Sequence, residues 1–378
     1  MHTRPNWAEV SLSALADNYR VIAQHLGPDV TPCCVIKCDA YGHGVIECAR
    51  ALEEAGAVFL GVTSTEEGTA VREAGVALPI LIMTGFWRGE EEAVLRHSLI
   101  PAIATEEHIQ ALEQAAAKLG ITHRVPVHLK VDTGMARLGV SLDGLPALAK
   151  RIAASPTIEL QGVFSHLSES EILDSAFVAK QKEKFDRTVA ILTEAGVKPK
   201  YCHLANTAAT VARPDIWNNM ARPGIALYGY NLACEGPGAE KAVLPVRPVL
   251  TWKTRVIALR EIAEGTPVGY NGRWVAKRPT RLAVIPVGYG DGFSRQLSSR
   301  GQVILHDHYA PIAGNVSMDL TMIDVTDIPG VALGDEVLII GRSEHCSVGA
   351  DELAQLSNTI VYEVLCGLSP RVPRIYVE

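Results

Sequence analysis

Lys37 closes an apolar run, Cys33-Cys34-Val35-Ile36, and is followed by Cys38-Asp39-Ala40-Tyr41-Gly42-His43-Gly44. A lysine at the end of a buried strand can lose its charge by desolvation and become a nucleophilic amine, the form that makes a Schiff base with a carbonyl. A lone lysine in such a place is more often a salt-bridged structural residue. Tyr41 and the glycines at 42 and 44, which let backbone turn close to a ligand, favour the chemical role. Other reactive residues end later apolar runs: Lys130 and Asp132, continuing to Arg137; His166; His203, leading to Asn206-Thr207; and Arg222-Pro223-Gly224-Ile225. Thr207 offers a hydroxyl at a helix start, and Gly224 and Ile225 offer amides, a set suited to phosphate. Singly, each could be a cap or a turn. Together with Lys37 they outline a site for a phosphate-bearing aldehyde.

Positioning such residues requires a regular frame. Leu15, Tyr19, Ile22 and Leu26 share one helical face ahead of Gly27-Pro28. Strand-like runs follow at 33–37, 58–62, 80–83, 101–104, 127–132, 160–166, 201–205 and 224–228, alternating with helical patterns. About eight such repeats match the rhythm of a (β/α)8 barrel, whose active site collects at the C-terminal ends of its strands. An open doubly wound sheet would alternate in the same way; the grouping of phosphate-binding residues late in the series favours the barrel. Beyond Asn231 the rhythm changes to short strands at 250–259, 281–287, 303–305, 322–325 and 336–340, interrupted by one helical pattern at 351–356. The expected fold is therefore α/β plus β: a TIM-type barrel over residues 1–235, then a mostly β domain over residues 236–378.

The chain of 378 residues, 48% hydrophobic and 20% charged, is too long for one ordinary core. Its formal charge of -7 argues against nucleic-acid and anionic-lipid partners. No early apolar stretch suits a signal peptide or a spanning helix, so a soluble cytoplasmic protein is expected. The eight cysteines contain no CxxC pair and most sit in apolar runs, as buried thiols of a reducing compartment would. No resident metal is expected.

The string 35–44, with Lys37 at its third position, resembles the cofactor-lysine signature of the alanine racemases, and the similarity runs over essentially the whole chain. Lys130-Val131-Asp132-Thr133-Gly134-Met135-Ala136-Arg137, His203-Leu204-Ala205-Asn206-Thr207, Arg222-Pro223-Gly224-Ile225, Gly288-Tyr289-Gly290-Asp291, Ser317-Met318-Asp319 and Tyr362-Glu363-Val364 are similar to that family's motifs and stand in its order. The resemblance implies pyridoxal 5'-phosphate on Lys37, with Lys37 as one acid/base at the substrate Cα. Tyr270 in Val268-Gly269-Tyr270-Asn271 is implied as the base on the opposite face. Tyr41, Asn206, Thr207, Gly224, Ile225 and Tyr362 are implied around the cofactor and its phosphate, and His166 and Arg222 at the ring nitrogen. Arg137, Met318 and Tyr289 are implied on the substrate side, with Lys130 as a carbamylation site. Alanine as substrate, D-alanine for peptidoglycan as the product's use, and a homodimer sharing its active sites follow from the same resemblance.

Asn315 stands where the family often has arginine, which bears on the charge lining of the substrate entrance. Three other readings compete: a broad-specificity racemase, a pyridoxal-dependent basic amino-acid decarboxylase, and a non-enzymatic pyridoxal-phosphate carrier. Arg222 argues against the decarboxylase, which would place a carboxylate near the ring nitrogen. A carrier would have no use for Tyr270 or the second domain.

Overall fold

The computed structural model describes residues 4–378 and divides into two compact units. One comprises Ser13–Ala40 and Val45–Arg247; the other comprises the N-terminal residues through Leu12, Tyr41–Gly44 and Pro248–Glu378.

The first unit is built on seven parallel strands in sequence order: Cys34–Val35, Leu60–Val62, Ile80–Ile82, Ile100–Ile103, Val125–Lys130, Ile158–Phe164 and Tyr201–His203. Most of their residues are buried on both faces, because helices cover the outside and side chains fill the inside. An eighth strand, Met220–Ala221, pairs in parallel with Thr31–Pro32, just before the first strand. Cys33 and Val35 donate backbone hydrogen bonds to Ala221 and Pro223, and Arg222 N donates to Ala205 O on the seventh-strand side, so the ring closes. The eight-stranded barrel is thus present. Its last strand lies at 220–221, whereas the run expected as a strand at 224–228 forms a 3-10 turn, Ile225–Tyr228. That turn is apolar because it is buried, and Tyr228 OH donates to Val35 O.

Helices begin where short polar side chains satisfy the first free amides. Ser64 accepts from Glu67 N, Thr105 from His108 N, and Ser175 from Phe177 N and Val178 N. Cys33, Phe59, Leu81, Ile100 and Met220 form a buried cluster with Met83 and Tyr201 packed against it.

The second unit is mostly β. Its main sheet runs His308–Pro311, Gln302–Leu305, Glu336–Arg342, Leu250–Arg255, Asn6–Ser11, Arg374–Val377. The N-terminal strand lies antiparallel to Leu250–Arg255 and parallel to Arg374–Val377, and Trp252 Nε1 donates to Asn6 Oδ1 at 2.6 Å. The unit also holds a three-stranded sheet, Ala258–Ile262, Thr280–Ile285 and Thr321–Asp324, and two short helices, Ala350–Leu356 and Val361–Cys366. Only the first helix was expected; the second is too short to show a helical period.

Candidate active site

Lys37 follows the first barrel strand by two residues, and the backbone then does something unusual. Cys38, Asp39, Ala40 and Tyr41 all have φ of 53° to 54°, a left-handed turn made without glycine. Each such residue costs roughly 1–2 kcal/mol relative to the right-handed form. The turn is held by Cys38 N donating to Glu67 Oε1, Ala40 N to Ile36 O, and Val45 N to Asp39 Oδ1. Backbone strain of this kind, here directly after Lys37, clusters at functional sites.

Around Lys37 the barrel collects positive charge. Lys130 is only 7% exposed; its Nζ donates to Met83 O at 3.1 Å and stands 5.0 Å from the Phe164 ring centre. Burial, then the charges of Arg222, Arg137 and Lys37, bring its amine down to about 8 against the opposing pull of Asp132. His166 is pushed down to about 3, first by burial and then by Arg222, Arg137, Lys130 and Lys37. Four cations therefore act on one neutral imidazole. Asp132 is the one carboxylate acting on Lys130, and its Oδ1 is engaged by Gly134 N and Ala136 N in shaping the loop to Arg137.

Arg222 is 4% exposed and makes no ion pair among the described residues. Nη1 donates to His203 Nδ1 and His203 O, each at 2.9 Å, and Nη2 donates to Ser165 O and Leu204 O. Among the described residues nothing accepts from its Nε–H. Burial brings the guanidinium down to about 10. Such a cation without a counter-charge is costly in a core and fits a site that receives an anion.

Asn206 caps the helix Thr207–Ala212 through Oδ1 and donates from Nδ2 to Ser170 Oγ. Thr207 Oγ1 accepts from Gly224 N at 2.8 Å, and Ile225 is fully buried beside it in sequence. The barrel unit thus brings together Lys37, Lys130, Arg137, His166 and Arg222, and separately joins Thr207 to Gly224.

The β unit carries the remaining residues. Tyr41 is buried with its ring 5.8 Å from that of Tyr362. Gly42 follows with φ 81°, where a side chain would meet Leu365 O. Tyr270 is 70% exposed in a turn with Gly269 at φ 70° and Asn271 at φ 64°. Asn315 is buried and donates from Nδ2 to Tyr270 O at 2.8 Å, so it anchors the turn of that tyrosine. Tyr289 N donates to Ser317 O and Gly290 N to Met318 O, which sets the exposed Tyr289 and Met318 side by side. Sequence reasoning overlooked His128, whose signal was the alternation Val127-His128-Leu129-Lys130, with two polar residues on one face of a buried strand.

Residues 10–232 match the alanine racemase N-terminal domain and residues 249–376 the alanine racemase C-terminal domain. An alanine racemase of Halothermothrix orenii is 39% identical over 375 residues, 99% of this chain and 97% of that protein. Among solved structures, an alanine racemase of Clostridium difficile superposes with a TM-score of 0.92 at 31% identity, covering 100% of this chain and 97% of that one. The alanine racemase of Bartonella henselae, solved with covalently bound pyridoxal phosphate, gives 0.86 at 31% identity, covering 99% of each chain.

Proposed function

This chain belongs to the alanine racemase family of isomerases, and on that premise we propose that it interconverts L- and D-alanine with pyridoxal 5'-phosphate held on Lys37. The observation that carries the reading is the set of four cations, Lys37, Lys130, Arg137 and Arg222, acting on a neutral His166. A phosphorylated aldehyde and a substrate carboxylate supply the negative charge such a site lacks, and Lys37 supplies the amine for the carbonyl. Thr207, Gly224 and Ile225 would hold the phosphate, with Asn206 fixing the start of their helix; the resemblance assigns Tyr41 and Tyr362 to the same group.

The cofactor, when bound, supplies the carbonyl that takes up the amino acid and a ring that disperses the charge left at Cα. Lys37 removes or returns the Cα proton on one face, and Tyr270 does so on the other, as inversion requires. Arg222 can donate but not accept, so a hydrogen bond from it to the ring nitrogen would keep that atom unprotonated. Negative charge would then stay nearer Cα, favouring return of the proton there over side reactions. Arg137, with the backbone of Met318 and the ring of Tyr289, would orient the substrate carboxylate. Lys130, lowered to about 8, has amine enough to add carbon dioxide and release a proton, giving a carbamate that holds Arg137.

Tyr270 would act in the partner subunit's site, which makes the functional form a homodimer. A cytoplasmic enzyme supplying D-alanine for peptidoglycan completes the reading; no described helix is long and apolar enough to cross a membrane. Purified protein loaded with pyridoxal phosphate is expected to convert L-alanine until both enantiomers are equal, and to turn over a panel of larger amino acids more slowly. Loaded protein that leaves L-alanine unchanged would refute the proposal.

A further inference from the structure

Behind Arg222 the barrel holds two histidines that the roles above do not use. His203 Nδ1 lies 2.9 Å from Arg222 Nη1, and His203 Nε2 lies 2.8 Å from His128 Nδ1. All three residues are buried. A guanidinium has donors only, so the ring nitrogen facing it must be the one with the lone pair. The proton of His203 is then on Nε2, which donates to His128 Nδ1, and the proton of His128 is on its own Nε2. The far end agrees with this direction. His128 Nε2 and Gln161 Oε1 are both buried with no hydrogen-bond partner among the described residues, one a donor and the other an acceptor, and the Gln161 side chain favours the proton on the His128 ring. A second proton on either ring would set two donors face to face.

We propose that His203 and His128 form a neutral relay of fixed tautomer that positions the Arg222 guanidinium and leaves its Nε–H as the donor for the ring nitrogen of the cofactor. The four Nη hydrogens all have acceptors, and none of those acceptors is charged: His203 Nδ1 and O, Ser165 O and Leu204 O. A carboxylate in place of His203 would fix the guanidinium equally well but would cancel its charge. The imidazole passes on orientation without neutralising the cation. Phe164 holds the arrangement from one side, its ring 4.8 Å from that of His203 and nearly parallel, with Arg222 Cζ 5.3 Å from its centre. Gly162 makes room on the other, since a Cβ there would lie 2.5 Å from the His128 ring. Burial first, then the Arg222 charge, keeps His203 far below its ordinary range, in accord with a ring that stays neutral.

The inference rests on Arg222 facing the ring nitrogen, and two measurements separate the two claims. Neutron diffraction of the deuterated wild-type protein is expected to place deuterium on Nε2 of both histidines and none on Nδ1. Deuterium on His203 Nδ1 would overturn the relay whatever the cofactor does. The second measurement is the 15N resonance of labelled pyridoxal phosphate in the holoenzyme. His203→Asn keeps an acceptor for Arg222 and should leave the resonance at the unprotonated position. His203→Leu should move it toward the protonated one and lower kcat by about tenfold or more, the usual size for the loss of an outer-shell partner. A resonance in His203→Leu identical to wild type would overturn the positioning role. Wild-type protein that takes up no cofactor would refute the functional reading, while the deuterium positions would still decide the relay.

Discussion

Acid should unfold the barrel unit sooner than its carboxylates would suggest. His128 and His166 are brought down to about 3, and His203 lies well below its ordinary value, each chiefly by burial. Neighbouring cations reinforce burial: Arg222 acts on all three, Lys130 on His166 and His203, and Lys37 and Arg137 on His166. In the unfolded chain all three return to a pKa near 6.5. The unfolded state therefore binds protons that the native state refuses, and stability is complete above neutrality and lost as pH falls toward 3. Between pH 6.5 and 5.5 an unfolded histidine goes from half to about nine-tenths protonated, which integrates to about 1 kcal/mol per residue, or ~3 kcal/mol for the three. Carboxylates hardly titrate in that interval. Urea unfolding followed by the circular dichroism of the helices, most of which belong to the barrel unit, measures the change. His166→Asn should reduce it to ~2 kcal/mol, because one of the three titrating groups is gone. A wild-type decrease below about 1 kcal/mol over this interval would show that these rings are protonated in the native protein, and the reasoning about the cationic site would fall with it.

Borohydride reduction of the holoprotein should fix a pyridoxyl group on Lys37, found by peptide mapping; label on Lys130, or none, would contradict the assignment. Arg222→Glu should protonate the ring nitrogen and raise transamination relative to racemisation, so an unchanged product ratio would remove Arg222 from the ring. Lys37→Ala and Tyr270→Ala should each be nearly inactive, whereas co-refolding them should restore roughly a quarter of wild-type activity, since about half of the dimers are mixed and each mixed dimer has one intact site. Confirmed heterodimers without activity would mean that the two residues do not serve one site from different subunits.

The parallel strands were legible because most of their residues are buried, so that largely apolar runs lead into a polar residue. Lys37, Lys130, His166 and Arg222 could be picked out for that reason. The Ile225–Tyr228 turn was read as a strand because burial, not extended backbone, makes it apolar. The left-handed turn at Cys38, Asp39, Ala40 and Tyr41 left little trace in the sequence, since of the four only Asp39 is of a type enriched at positive φ. Comparison with an arginine bore on Asn315 and the charge of an entrance, and gave no sign that its amide holds the carbonyl of Tyr270. The strand Asn6–Ser11 escaped notice because its partners lie far along the chain, beyond the reach of any local pattern.

That strand has a consequence for synthesis. Asn6–Ser11 is a central strand of the β unit and the earliest one made, yet its neighbours Leu250–Arg255 and Arg374–Val377 come much later. At about 5–20 residues per second, the ~240 residues separating it from its first partner take roughly 12–50 seconds to translate. During that interval the whole barrel sequence emerges and can close, while the strand that precedes it stays unpaired on both edges. An unpaired strand is a template for other chains. The nascent protein is therefore most exposed to aggregation at its N-terminus, before the last residues of the β unit are made.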